Sequence, residues 1–191
     1  MLTSTYSLVA IAAEQERSRS MLARLRQHFH NAWKGMTRLD LPFAENLCQR
    51  LAHVDNFFRR RKIELYLVPV LRMMGREAET LVAELDALSA RAAAMLSTFR
   101  EQVRTAFDVR LHRPEQVREV VDGYCHTMSC RLDREEQELL PLARRLLSVE
   151  DWFSIAAQML SDGSPTRGRG HRSILLPRGA SPAIRRVANL R

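Results

Sequence analysis

Lysine is nearly absent from this chain. Lys34 and Lys62 are the only two, so almost all of the positive charge is arginine, a compositional bias rather than a phosphate-binding pattern. Cysteine is scarce as well. Cys48, Cys125 and Cys130 form no CxxC pair, which excludes a disulfide framework and predicts a reducing, cytoplasmic setting. Long apolar runs are missing. Ser7–Ala13 is too short to span a bilayer and has no basic stretch before it, so it reads as the first turns of a core helix and no membrane association is expected. β-branched residues are sparse and rarely alternate with polar ones, so no strand is predicted. There is no Gly-rich phosphate loop, GxSxG or HExxH motif. No nucleophile–base pair can be named, and the expectation is a protein that is not an enzyme, with no catalytic residue.

What remains is ordinary in bulk, with 46% hydrophobic and 27% charged residues over 191 positions, enough for one domain with a core. The net charge of +8 is uneven: residues 161–191 hold seven arginines against Asp162, leaving about +2 for the rest. Any nucleic-acid contact is therefore expected through the Arg-rich tail.

Helical periodicity dominates. Leu8, Ile11, Gln15, Leu22, Leu25, Phe29 and Trp33 predict a first helix over 6–34, with Gln15 a polar member of an apolar stripe. A loop with Asp40 and Pro42 follows. A second helix is predicted over 43–74 from Leu47, Leu51, Val54, Phe58 and Leu65, loosened near Pro69. Leu81, Leu85, Leu88, Ala92, Met95, Phe99 and Val103 give a third, over 77–107. Pro114 opens a fourth through Val117, Val121, Tyr124, Met128, Leu132, Glu135 and Leu139, with Pro141 late in it. Ser148 and Asp151 read as the cap of a short fifth helix ending near Leu160. The expected fold class is all-α: an antiparallel four-helix bundle over 1–161 with a short C-terminal fifth helix, then a flexible basic tail over 162–191.

The segment EEQELLPLARRLLSVEDW resembles the last-helix signature of bacterial hemerythrin-like (HHE cation-binding) proteins. FFRRRKIELYLVPVL is similar to the second-helix segment of that family, and Glu79-Thr80 and Glu14-Gln15 lie where members carry Glu-His pairs. The resemblance implies a hemerythrin-like bundle and, in intact members, a di-iron centre held by imidazoles and bridging carboxylates from four helices. Carried over position by position, the ligand set is mostly lost. Counting back from Pro141 gives Arg131 for the histidine and Glu135 for the carboxylate. Counting back from Pro69 gives Arg59 and Ile63, while Thr80 and Gln15 replace the remaining imidazoles.

The resemblance thus implies a degenerate member without metal, acting as a binding or regulatory module for a protein partner it does not identify. Its guanidiniums would stand in for iron: Arg59 and Arg131 either pair with Glu135 in a buried network or reach out to water. Arg60 and Arg61 read as a solvated face. The alternative is a di-iron or other cation site with an altered ligand set drawn from Glu64, His126, Cys130, Glu135 and Glu136, serving oxygen, nitric oxide or redox sensing. His28, His30, His53 and His112 are too scattered to form a ligand set.

Overall fold

The computed structural model describes residues 2–34, 40–106 and 114–163. Among them every regular element is helical, as expected. The connection at 108–113 lies outside the described residues; of the tail expected over 162–191, Asp162 and Gly163 instead continue the last helix past Leu160, and residues 164–191 lie outside the described residues.

Helix α1 spans Leu2–Trp33 and α2 spans Leu41–Arg59. The latter starts earlier than periodicity predicts. Asp40 is its N-cap, its Oδ1 accepting from the Phe43 N–H at 2.9 Å, and Pro42 sits in the first turn, where no N–H is needed. The predicted 43–74 helix is not continuous. It breaks at Arg60–Arg61 and resumes as a π turn, Ile63–Leu67, leading into α3, Val68–Leu71. Gly75, at φ +112°, then makes a turn that suits a residue without Cβ. Helix α4 spans Arg76–Ala106 and α5 spans Pro114–Arg134. A second π turn, Glu135–Leu139, continues α5 into α6, Leu140–Leu146. Ser148 and Asp151 cap α7, Val149–Gly163, reciprocally: each side chain accepts from the other's backbone N–H, at 3.1 and 2.9 Å.

The two π turns share a cause. Each runs into a proline, Pro69 or Pro141, whose ring would clash with the carbonyl four residues back. The extra residue of a π turn moves that carbonyl aside. The residue before each proline bonds five positions back instead, Val68 N–H to the Ile63 carbonyl and Leu140 N–H to the Glu135 carbonyl. Neither proline ends its helix.

Helix α1 packs on α2, α5 and α7, α2 on α4, and α4 on α5. The stripe residues face inward, with Leu47, Leu51, Phe99, Tyr124 and Leu132 among the most buried. Leu65 is the exception. It is half exposed, because the break and π turn shift the helical phase so that Ile63, Leu67, Val68 and Leu71 point inward instead. The apolar core is divided in two. One cluster gathers Leu22 to Phe29, Ala44 to Phe58, Ala92 to Val103 and Val117 to Leu132; the other gathers Ile11, Ile63 to Leu71, Ala78 to Leu85, Leu139 to Leu147 and the buried face of α7.

Candidate functional site

Between those clusters lies a polar layer. On each long helical run one residue marks the boundary. Gln15 lies between Ile11 and Leu22, Arg61 between Phe58 and Ile63, Ser89 between Leu85 and Ala92, and Glu135 between Leu132 and Leu139. These four residues, with Arg131 and Glu64, form one hydrogen-bonded network.

Glu135 is its centre and is fully buried. Its Oε1 accepts from Arg61 Nη2 at 2.6 Å and Arg131 Nε at 2.8 Å; its Oε2 accepts from Arg61 Nη1 at 2.8 Å and Gln15 Nε2 at 2.7 Å. Four N–H donors thus occupy both carboxylate oxygens. Arg61, 1% exposed, also donates from Nη2 to Glu64 Oε1 at 3.0 Å and from Nε to the Phe58 carbonyl at 3.3 Å, and its guanidinium lies 4.7 Å over the Phe58 ring. Arg131 donates to the Leu85 carbonyl at 2.9 Å, to Ser89 Oγ and to Glu64 Oε1. Two guanidiniums and two carboxylates leave the layer neutral, as a buried charge cluster must be.

Local backbone explains how these side chains converge. The break after α2 leaves the Lys62 N–H without a helical partner, and Glu14 Oε2 on α1 accepts it at 2.5 Å. Glu14 therefore fixes the turn that aims Arg61, while its neighbour Gln15 reaches Glu135 directly. Arg131 and Glu135 are four apart at the entry to the second π turn, so they share a face and bond to each other.

Electrostatics follow the geometry. Burial alone would push the Glu135 carboxyl up, but Arg61 and then Arg131 outweigh it and hold the group below the usual carboxylate range. Glu64 goes the other way. Its burial, with Glu135 adding to it, prevails over the pull of Arg131 and Arg61 and raises it. Burial opposes the Arg61 charge, yet Glu135 and Glu64 more than offset it, so that guanidinium is held above its ordinary value.

Of the positions singled out from sequence, Gln15, Arg131 and Glu135 are brought together in this layer. Arg59 is not. Its side chain is largely exposed and pairs with Asp55 one turn back, at 2.9 Å, and Arg61, expected on a solvated face, takes the central place. The count back from Pro69 assumed an unbroken helix, and the interruption at Arg60–Arg61 resets the phase. Ile63 is buried among apolar side chains. Thr80 is exposed and bonds back to the Arg76 carbonyl, so α4 meets the layer through Leu85 and Ser89 instead. Sequence reasoning missed Arg61, Gln15's partner role and Ser89. A signal for Arg61 was present: the stripe Leu47, Leu51, Val54, Phe58 continues at a three-residue step to 61.

The alternative ligand set is also dispersed. Glu64 and Glu135 are held by arginines, Glu136 is exposed and bonded to Arg19, and exposed His126 lies beside Cys130, Nε2 to Sγ 3.6 Å. Among the described residues no group of three or more His, Cys, Asp or Glu is placed to hold a metal ion. The donor set at the layer does not fit a di-iron centre. A cation needs free lone pairs, and those of Glu135 already accept N–H groups from two guanidiniums and an amide, with no imidazole among them. Held this way, Glu135 can serve neither as a base nor as a ligand. Among the described residues no helix is long and apolar enough to cross a membrane. Comparison with protein-family models, curated proteins and solved structures gives no match.

Proposed function

We propose that this chain is a metal-free, non-catalytic four-helix bundle of the hemerythrin-like type, acting in the cytoplasm as a binding or regulatory module. The observation that carries the reading is the saturation of Glu135 by Arg61, Arg131 and Gln15 at the centre of the helices. The guanidiniums supply the positive charge that a metal would otherwise bring to inward-facing carboxylates. The neighbour relations α1–α2, α2–α4, α4–α5 and α5–α1 support a bundle, with α7 as a short fifth helix against α1. With its centre closed, such a protein acts through its outer surface.

The test is metal content. Protein produced in iron-supplemented medium should contain no stoichiometric iron by elemental analysis and show no oxo-bridge absorption band in the near ultraviolet. About two iron ions per chain, the content of an intact di-iron bundle, would overturn the reading.

A further inference from the structure

We propose that the groove between α1 and α2 is a docking site for an acidic amphipathic helix of a partner protein. The two walls run antiparallel: Phe29 and Trp33 at the end of α1 meet Phe43 at the start of α2, and Arg17 lies over the Phe57 ring near the other end. Between these contacts the helices leave an open groove of about 830 Å³. From Arg17 to His28 the α1 wall runs about 16 Å at the helical rise per residue, room for about three turns of a guest helix.

Charge identifies the guest. Arg17, Arg24 and His28 line one wall, Arg50 and His53 the other, and among the described residues Glu16 is the only acid in the lining. Among the described residues none of the three arginines has a carboxylate within 4.0 Å, whereas Arg19 and Arg26, on the α5 side of the same helix, are both paired. The floor is apolar, with half-buried Met21 and buried Leu25. Basic walls over an apolar floor complement a helix with a Leu or Met stripe flanked by Glu and Asp. Among the described residues no Phe, Tyr or Trp lines the groove, so they offer no stacking platform of the kind that single-stranded nucleic acid uses. The chain's own residues 164–191 hold seven arginines and no Asp or Glu, and a second copy carries a net +8, so charge disfavours both as occupants.

The inference deepens the binding-module reading by naming a surface and a partner chemistry. It does not depend on metal content, which is measured separately. The experiment titrates the full chain into a labelled helical peptide of about 15 residues, with a leucine stripe flanked by glutamates, and follows anisotropy. The same peptide with lysines for glutamates and an oligothymidylate of about 10 nucleotides serve as comparisons. The glutamate peptide should bind, with affinity falling as salt rises. Arg24→Glu and Arg50→Glu should each weaken it by about tenfold or more, while Arg91→Glu on α4 leaves it unchanged. All three arginines are exposed, and unchanged melting temperatures would show that the variants fold. Equal binding of the lysine peptide, no binding of the glutamate peptide, or insensitivity to Arg24→Glu and Arg50→Glu would overturn the proposal. Tighter binding of the oligothymidylate, lost in the same variants, would also overturn it and reassign the groove to nucleic acid.

Discussion

Arg61 grips Glu135 at two points across 74 residues of chain, Nη2 to Oε1 at 2.6 Å and Nη1 to Oε2 at 2.8 Å. This two-point pair ties the turn after α2 to the π turn after α5. Arg131 and Gln15 then fill the remaining acceptor sites, so each member of the layer is held by several others.

Glu135→Ala should be among the most damaging single substitutions. It leaves two buried guanidiniums with Glu64 as their remaining carboxylate. Breaking a buried pair from one side costs about 3–5 kcal/mol. Urea or thermal denaturation measures it, and a melting temperature equal to wild type would show that the layer carries no net stabilisation.

The two neighbouring arginines should separate sharply. Arg61→Ala removes a fully buried group and strands Glu135, so a loss on the same scale of about 3–5 kcal/mol is expected. Arg59→Ala removes an exposed ion pair with Asp55, and a change within about 0.5 kcal/mol is expected. Equal effects in the two variants would contradict the placement of Arg61.

Acid and base should act on the layer with opposite signs. The folded value of Glu135 lies below its ordinary 4.5, so its stabilising share is present above that pH and lost as pH falls through the folded value. The folded value of Glu64 lies above 4.5, so its share is present at low pH and lost as pH rises through the folded value. Glu64→Gln should remove the decline on the upper side, flattening stability above pH 4.5, while the acid-side loss persists. Urea midpoints across that range, wild type against variant, provide the check. Parallel curves would mean that Glu64 is not perturbed by its burial.

Tyr124 is fully buried in the apolar cluster that also holds Phe58 and Leu132, and among the described residues its hydroxyl has no hydrogen-bond partner. Burial, ahead of nearby Asp55, lifts its ionisation well above the tyrosine range, so it remains a neutral phenol. An unpaired buried hydroxyl costs about 1–3 kcal/mol. Tyr124→Phe should therefore leave the melting temperature unchanged or raise it. A clear drop would reveal a partner for the hydroxyl, such as a buried water.

Much of the helical layout was legible because periodicity is a local property. The Leu81–Val103 and Val117–Leu139 stripes turned inward as read, and the Ser148–Asp151 cap formed as read. The candidate site was half legible. Gln15 stood out as a polar residue on an apolar stripe, and Arg131 and Glu135 were tied by their four-residue spacing. Arg61 was not found, because counting residues presumes a constant 100° per residue. The break at Arg60–Arg61 violates that assumption; the π turn alone does not, since the same count from Pro141 crosses one and still reaches Arg131.

The sequence by itself determined the helices, their caps, the prolines that force the π turns, and the presence of charge at core positions. Those follow from backbone sterics and side-chain chemistry within a few residues. Tertiary structure decided which arginine meets Glu135. That choice depends on where the chain breaks after α2 and on Glu14, 48 residues earlier, accepting the N–H that the break releases. It also decided that Arg17, Arg24 and Arg50 face a shared groove with, among the described residues, no carboxylate within 4.0 Å, because pairing or its absence depends on which helices become neighbours.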